Sequence, residues 1–243
     1  MKIYKFKDLT DERKHNHFLQ IVLQKSIWCA SPDSLNDENE FKFKLDYEPS
    51  QDTANLLTQV VAKFRTTNYF PPHLSVTRIL KNKMLAKIAE PIINDVVKNC
   101  RDTIGVTSFS LIKDDDRLWD EYGGKGNGVC VQIDIPDPLV GQIYHEVQYV
   151  AERIFHIDTF LKSSLFPDKA FETYRNILLT KTKKWKQEKE IRFIGKHQNV
   201  NFVFDGNVTE ITFGPCVPPL VLKRLEAKIE THCKKNKISI SKL

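Results

Sequence analysis

The period of apolar and polar positions changes near the middle of the chain. Close to the start, "KIYKF" (2–6) alternates and predicts a short strand. "ERKHNHFLQIVLQKS" (12–26) sets Phe18, Ile21 and Val22 on one helical face. "IWCASPDSLND" (27–37) begins as a strand and runs into turn chemistry, Ser-Pro-Asp-Ser and Asn-Asp. Residues 51–65 carry Leu56, Leu57, Val60, Val61 and Phe64 at helical spacing, and Pro71-Pro72 is expected to end that segment. The longest helical pattern spans 76–99. There Ile79, Leu80, Met84, Leu85, Ile88, Ala89, Ile92, Ile93, Val96 and Val97 recur along one face, with a kink expected at Pro91.

The second half reads as strands. "TIGVTSFSL" (103–111), "NGVCVQIDI" (127–135, entered through the glycine-rich "YGGKGNG") and "HEVQYV" (145–150) come first. A helix is expected around 168–184, followed by the strand-like runs "EKEIRFIG", "VNFVFDG" and "VTEITFGP" between Gly/Asn turns. A last helix follows Pro218-Pro219 and ends near Lys235, and "KISISKL" is a closing strand. Strands gathered in one half, with helices before and after, predict an α+β fold with a mixed, largely antiparallel sheet. The expected organisation is a single domain over 1–243 with a helical insert at about 50–100. No GxGxxG opens a helix after a strand and no GxxxxGK[ST] exists, which argues against Rossmann and P-loop readings.

Composition narrows the class. The chain has 243 residues, 41% of them hydrophobic, enough to bury a full core. No apolar run approaches the roughly 20 residues of a membrane span, and the charged N-terminus lacks a signal-peptide core, so a cytoplasmic protein without a membrane partner is expected. Cys29, Cys100, Cys130, Cys216 and Cys233 are odd in number and form no CxxC pair, which argues against a disulfide framework or a zinc ribbon. His15 and His17 are the one close histidine pair, and no bound metal is expected. The net charge of +6 permits an anionic partner, such as a dinucleotide or nucleic acid, without demanding one.

The candidate chemistry starts at Glu188, Glu190 and Arg192. Residues two apart on a strand share a face, so these would make a row of two carboxylates and a guanidinium. Neighbouring carboxylates repel unless a cation sits between them, and Arg192 brings a planar fork. The row is either the floor of a site or a salt-bridge row on a strand edge. Ser108 and Ser110 share one face of their strand, Thr107 and Phe109 the other. Trp119 and Tyr122 precede the glycine turn, where they either stack on a planar ligand or cap the core. Lys181 and Trp185 are four apart at an expected helix end and would share a face. Asp114-Asp115-Asp116 reads as an acidic loop.

These segments, taken in order, resemble a bacterial family catalogued as domain of unknown function 2971. The resemblance is carried by Tyr4-Lys5, "SPDSLND", "GVTSFS", "LWDEYGGKGNGVCVQID", "EVQY" ending at Tyr149, then Lys181, Trp185, Glu188, Glu190 and Arg192, and "ITFGP". Together they cover nearly the whole chain. Where the family continues Asn-Asp with Pro-Phe-Glu, this chain reads Asn36-Asp37-Glu38-Asn39-Glu40-Phe41.

Members of the family look distantly similar to phage-resistance (abortive infection) proteins and, in strand order, to ADP-ribosyltransferases. That resemblance implies an NAD-using enzyme acting as a toxin or phage-defence effector on a protein or nucleic-acid target. Glu190 would be the catalytic glutamate and Glu188 its assistant. Tyr4, Lys5, Ser108, Ser110, Trp119, Tyr122 and Arg192 would form the dinucleotide pocket. Two other classes stay open. One is a non-catalytic sensor or ligand-binding module built on the same polar row. The other is a metal-dependent nuclease, which needs a strand carboxylate such as Asp134 and a Glu-x-Lys, where this chain has Glu190-Ile191-Arg192.

Overall fold

The structure, a computed structural model, describes residues 1–64 and 75–243. Pro71-Pro72 lies outside the described residues. In chain order the elements are β1 (Lys2–Asp8), α1 (Glu12–Gln24), β2 (Ser26–Cys29), β3 (Lys44–Asp46), α2 (Thr53–Phe64), α3 (Val76–Lys81) and α4 (Leu85–Thr103). Then come β4 (Gly105–Ser110), α5 (Asp116–Glu121), β5 (Gly128–Asp134), β6 (Tyr144–Glu146), β7 (Gln148–Val150), β8 (Ile154–His156), α6 (Ile157–Leu165) and α7 (Pro167–Leu178). The chain closes with β9 (Thr180–Thr182), β10 (Glu190–Gly195), β11 (Val200–Val203), β12 (Asn207–Phe213), α8 (Pro219–Asn236) and β13 (Ser239–Lys242). The fold is α+β.

The chain forms two compact units. The first comprises Met1–Ala30, Gly105–Val147 and Lys184–Leu243; the second comprises Ser31–Ile104 and Gln148–Lys183. The helices expected as an insert at about 50–100 belong to the second unit.

The first unit is built on a seven-stranded sheet of order β13-β12-β5-β1-β4-β10-β6. Every neighbouring pair is antiparallel except β12 and β13. Side chains alternate between the faces. One face is apolar: Ile3, Phe109, Val131, Ile191 and Ile211 pack against Phe18, Ile21 and Val22 of α1 and Leu225 and Ile229 of α8. The other face carries Tyr4 and Phe6 of β1, Ser108 and Ser110 of β4, Cys130 and Gln132 of β5, Glu190 and Arg192 of β10, and Glu210 and Thr212 of β12. A satellite cluster of Phe6, Cys130, Leu118 and Trp119 lies on this polar face, so α5 covers part of it. A separate pair, β2 with β11, stacks Phe202 of β11 on Phe193 of β10 at 3.7 Å between centroids.

The second unit is mainly helical. Leu56, Leu57, Val60 and Val61 of α2 share one cluster with Ile88, Ala89 and Ile92 of α4 and Phe160 and Leu161 of α6. Two short parallel pairs, β3 with β8 and β7 with β9, complete it. Arg153 is buried here and bridges the turn at Asn39 and α7, donating to the carbonyls of Asn39 (2.7 Å) and Ile177 (2.6 Å).

Several elements depart from the sequence reading. The pattern at 76–99 is two helices. Lys83 takes a left-handed φ of 52°, and the Met84 N–H reaches back to the Ile79 carbonyl, closing a helix terminus. The apolar period survives because both helices feed the same cluster. "HEVQYV" splits at Val147: β6 joins the large sheet and β7 pairs with β9. The helix expected to 184 stops at Leu178, followed by β9 and a 3-10 turn at Lys183–Glu188. Lys181 and Trp185 therefore do not share a helical face.

Candidate functional site

β10 starts at Glu190, with Ile191, Phe193 and the alternate residues Glu190 and Arg192 on opposite faces. Register places Glu190 opposite Ser110, Ser110 opposite Tyr4, and Tyr4 opposite Gln132. Arg192 stands one step along, opposite Ser108 on β4 and His145 on β6. Glu190, Ser110 and Tyr4 thus form one cross-strand row over two interstrand spacings, roughly 10 Å.

Glu190 and Arg192 are 6% and 1% exposed. Arg192 Nε donates to Glu190 Oε1 at 2.6 Å and Nη2 to Oε2 at 3.1 Å. This side-on fork fixes the carboxylate plane, and both ions are desolvated together.

Glu188 is placed differently from the sequence reading. It closes the 3-10 turn before β10, and Lys189, with φ 42°, separates it from the strand. The expected row of three on one strand is therefore a strand pair, Glu190 and Arg192, plus a turn residue. The turn is tied down at several points. Tyr122 Oη donates to Glu188 Oε1 at 2.6 Å. Ser110 Oγ donates to the Glu188 carbonyl at 2.7 Å, and the Leu111 N–H donates to the Lys189 carbonyl. Burial, and next the Glu188 charge, push the Tyr122 phenol above its ordinary pKa, so it stays a donor.

The remaining predicted residues divide. Tyr4 lies on the polar face; burial raises its phenol pKa against the opposing pull of Lys113, which is paired with Glu210 at 2.7 Å. Ser108 Oγ is buried and has no hydrogen-bond partner among the described residues. Trp119 packs edge-on against Phe6 (5.2 Å) and its Nε1 donates to the Lys113 carbonyl, so it serves the core cluster. Tyr122 grips Glu188. Lys5 points to the apolar face: its Nζ donates to the Ser108 carbonyl at 2.6 Å and lies 5.5 Å from the Phe109 ring centroid. Burial, with Lys7 adding repulsion, lowers its pKa to about 7.

The glycine turn has a local reason. Gly124, Lys125 and Gly126 all have positive φ, and a Cβ on Gly124 would stand 2.6 Å from Asp8 Oδ1. His15 and His17 diverge. His15 is buried against the Leu9 carbonyl, while the His17 ring stacks on Trp28. Asp115 caps α5 rather than facing a carboxylate partner. Among the described residues no three His, Cys, Asp or Glu side chains converge as a metal site, and no helix is long and apolar enough to cross a membrane. Tyr149 and Lys181 face each other across β7 and β9 in the second unit.

The sequence reading missed the Lys113–Glu210 pair beside Tyr4 and the Gln132–Thr209 bond (2.7 Å) in the same row. Alternation alone could have placed Gln132 and Glu210 on the polar face. Comparison with protein-family models, with curated proteins and with solved structures finds no match.

Proposed function

We propose that the polar sheet face is the NAD site of an ADP-ribosyl-transferring enzyme, with Glu190 as the catalytic carboxylate. The observation that carries this reading is the cross-strand row Glu190–Ser110–Tyr4. It sets the first strand, the hydroxyl strand and the glutamate strand side by side in one sheet, in the order β1-β4-β10. In the reaction the bond between ribose C1′ and the nicotinamide nitrogen breaks. Nicotinamide leaves with the bonding pair as a neutral molecule, and positive charge grows on the ribose. A fixed anion beside that centre lowers the barrier. Arg192 fixes Glu190 and Tyr122 fixes Glu188, which is the preorganisation such a site needs. An acceptor hydroxyl, amine or water then bonds to C1′ and loses its proton. Tyr4, Ser110 and Ser108 line the row; Lys5 supports β4 from the opposite face through the Ser108 carbonyl. Lys184, Lys186 and Lys189, exposed around the turn that carries Glu188, suit an anionic acceptor such as nucleic acid. The toxin or phage-defence role implied by the family resemblance fits this activity.

A binding module without turnover is the second reading. Its support is that Arg192 already occupies the Glu190 carboxylate. Both readings meet one experiment: release of free nicotinamide from NAD, with a cell lysate as acceptor, by wild type and by Glu190→Gln. The enzyme reading expects release by wild type and its loss in the variant. Tyr122→Phe, which keeps both glutamates, is expected to show reduced release and guards against a variant that fails to fold. Saturable NAD binding without release from wild type would replace the enzyme with the module.

A further inference from the structure

A cavity of about 530 Å³ opens in the first unit between the starts of α1 and α8. It shares no residue with the polar row, and its size lies within the range of small-molecule sites, about 300–1,000 Å³. Leu9, Pro218 and Val221 supply apolar lining, with Leu220 beside them. Leu220 is 84% exposed, the most exposed large apolar side chain among the described residues.

The polar lining is a connected chain of bonds. The Leu9 N–H donates to the Asn127 carbonyl at 3.1 Å. His15 Nε2 lies 2.8 Å from the Leu9 carbonyl, and Arg224 Nη2 lies 3.0 Å from His15 Nδ1. Arginine has only donors, so in this contact Nδ1 accepts and Nε2 donates to the Leu9 carbonyl. The buried imidazole therefore aims the guanidinium. The other arm, Nη1, donates to Glu12 Oε1 at 2.8 Å. The Arg224 bond holds the Glu12 carboxyl below its ordinary pKa, yet that side chain is 80% exposed. An exposed pair of this kind is weak and is replaced at little cost. Pro218 offers no side-chain cap to the first-turn N–H groups of α8, which add donors at the same place.

We propose that this cavity binds a small amphipathic carboxylate. The ligand's carboxylate takes the place of Glu12 on Arg224, and its short apolar body lies against Leu9, Leu220 and Val221. A carboxylate is favoured because Arg224 Nη1 already holds one, while Nη2 is kept in place by His15. The test is calorimetric titration of the whole chain with hexanoate, with hexanol as the uncharged probe. Saturable binding of hexanoate is expected at millimolar concentration, with hexanol weaker. Glu12→Gln removes the competing carboxylate and is expected to tighten binding about two- to five-fold. Arg224→Gln is expected to abolish it. Leu220→Asp sets a charge on an exposed position, so it is expected to weaken binding without changing the melting temperature. Absence of saturation in Glu12→Gln, unchanged binding by Arg224→Gln, or equal affinity for hexanol would each overturn the proposal.

Discussion

Replacing Arg192 by methionine tests whether the buried fork organises the polar face. Methionine keeps much of the side-chain volume, so the change is mainly one of charge. Arg192 is 1% exposed and gives Glu190 two bonds, 2.6 and 3.1 Å long. Removing one partner of a buried ion pair leaves the other desolvated, which costs about 3–5 kcal/mol. With a urea slope of about 2–3 kcal/mol/M, the midpoint should fall by about 1–2.5 M. Trp28, Trp119 and Trp185 all lie in the first unit, so intrinsic fluorescence reports its unfolding. The double variant Glu190→Gln/Arg192→Met removes both charges and should be less destabilised than Arg192→Met alone. In the single variant Glu190 should take up a proton more readily on folding. Its folded pKa then exceeds its unfolded value, so the deficit should shrink as pH falls. A double variant no more stable than the single one would refute the reasoning.

The other effects follow from single residues. Lys5 has a folded pKa of about 7 against an ordinary 10.5. The unfolded chain therefore binds more protons between these values, and stability should rise with pH across that window, by at most about 1.4 kcal/mol per unit. Lys5→Met should lose that slope in urea titrations, and an unchanged slope would show that Lys5 is not buried as a cation. Gly124→Ala places a Cβ 2.6 Å from Asp8 Oδ1 at a φ of +59° and should lower the melting temperature, through a strain of about 1–2 kcal/mol; an unchanged melting temperature would show that the turn yields.

Local patterning was read well where one period served one element. α1, α2, β4, β12 and α8 each turn their apolar face to one cluster, and β1 and β5 alternate between the main cluster and the Phe6–Cys130 cluster, so alternation or helical spacing identifies them. It failed where the chain changes partner within a run. In "HEVQYV" the alternation continues while hydrogen bonding passes from β10 to β9. At Asn82–Met84 the break is a left-handed lysine, which leaves no mark on an apolar period. α6 was missed because Ile157, Phe160 and Leu161 are a short stripe between two other elements.

The opening charges of β10 show why a candidate site can be found in sequence and still be misbuilt. A spacing of two is evidence for a shared face only inside a strand. Glu190 and Arg192 meet that condition, and the fork between them follows directly. Glu188 has the same spacing but belongs to a 3-10 turn, so its direction is set by what holds the turn: Tyr122 and Ser110, distant in sequence. Tyr122 appears in the sequence as a candidate for ligand stacking, yet its hydroxyl is committed to a carboxylate. The polar face therefore joins two kinds of information. The Glu190–Ser110–Tyr4 row is set by sheet register, and the position of Glu188 by long-range hydrogen bonds from Tyr122 and Ser110. Tyr122→Phe should disturb Glu188 alone and leave the Arg192–Glu190 fork in place. Nicotinamide release that falls in Tyr122→Phe and disappears in Glu190→Gln would give the two glutamates separate roles. Equal loss in both variants would mean that the turn and the strand act as one unit.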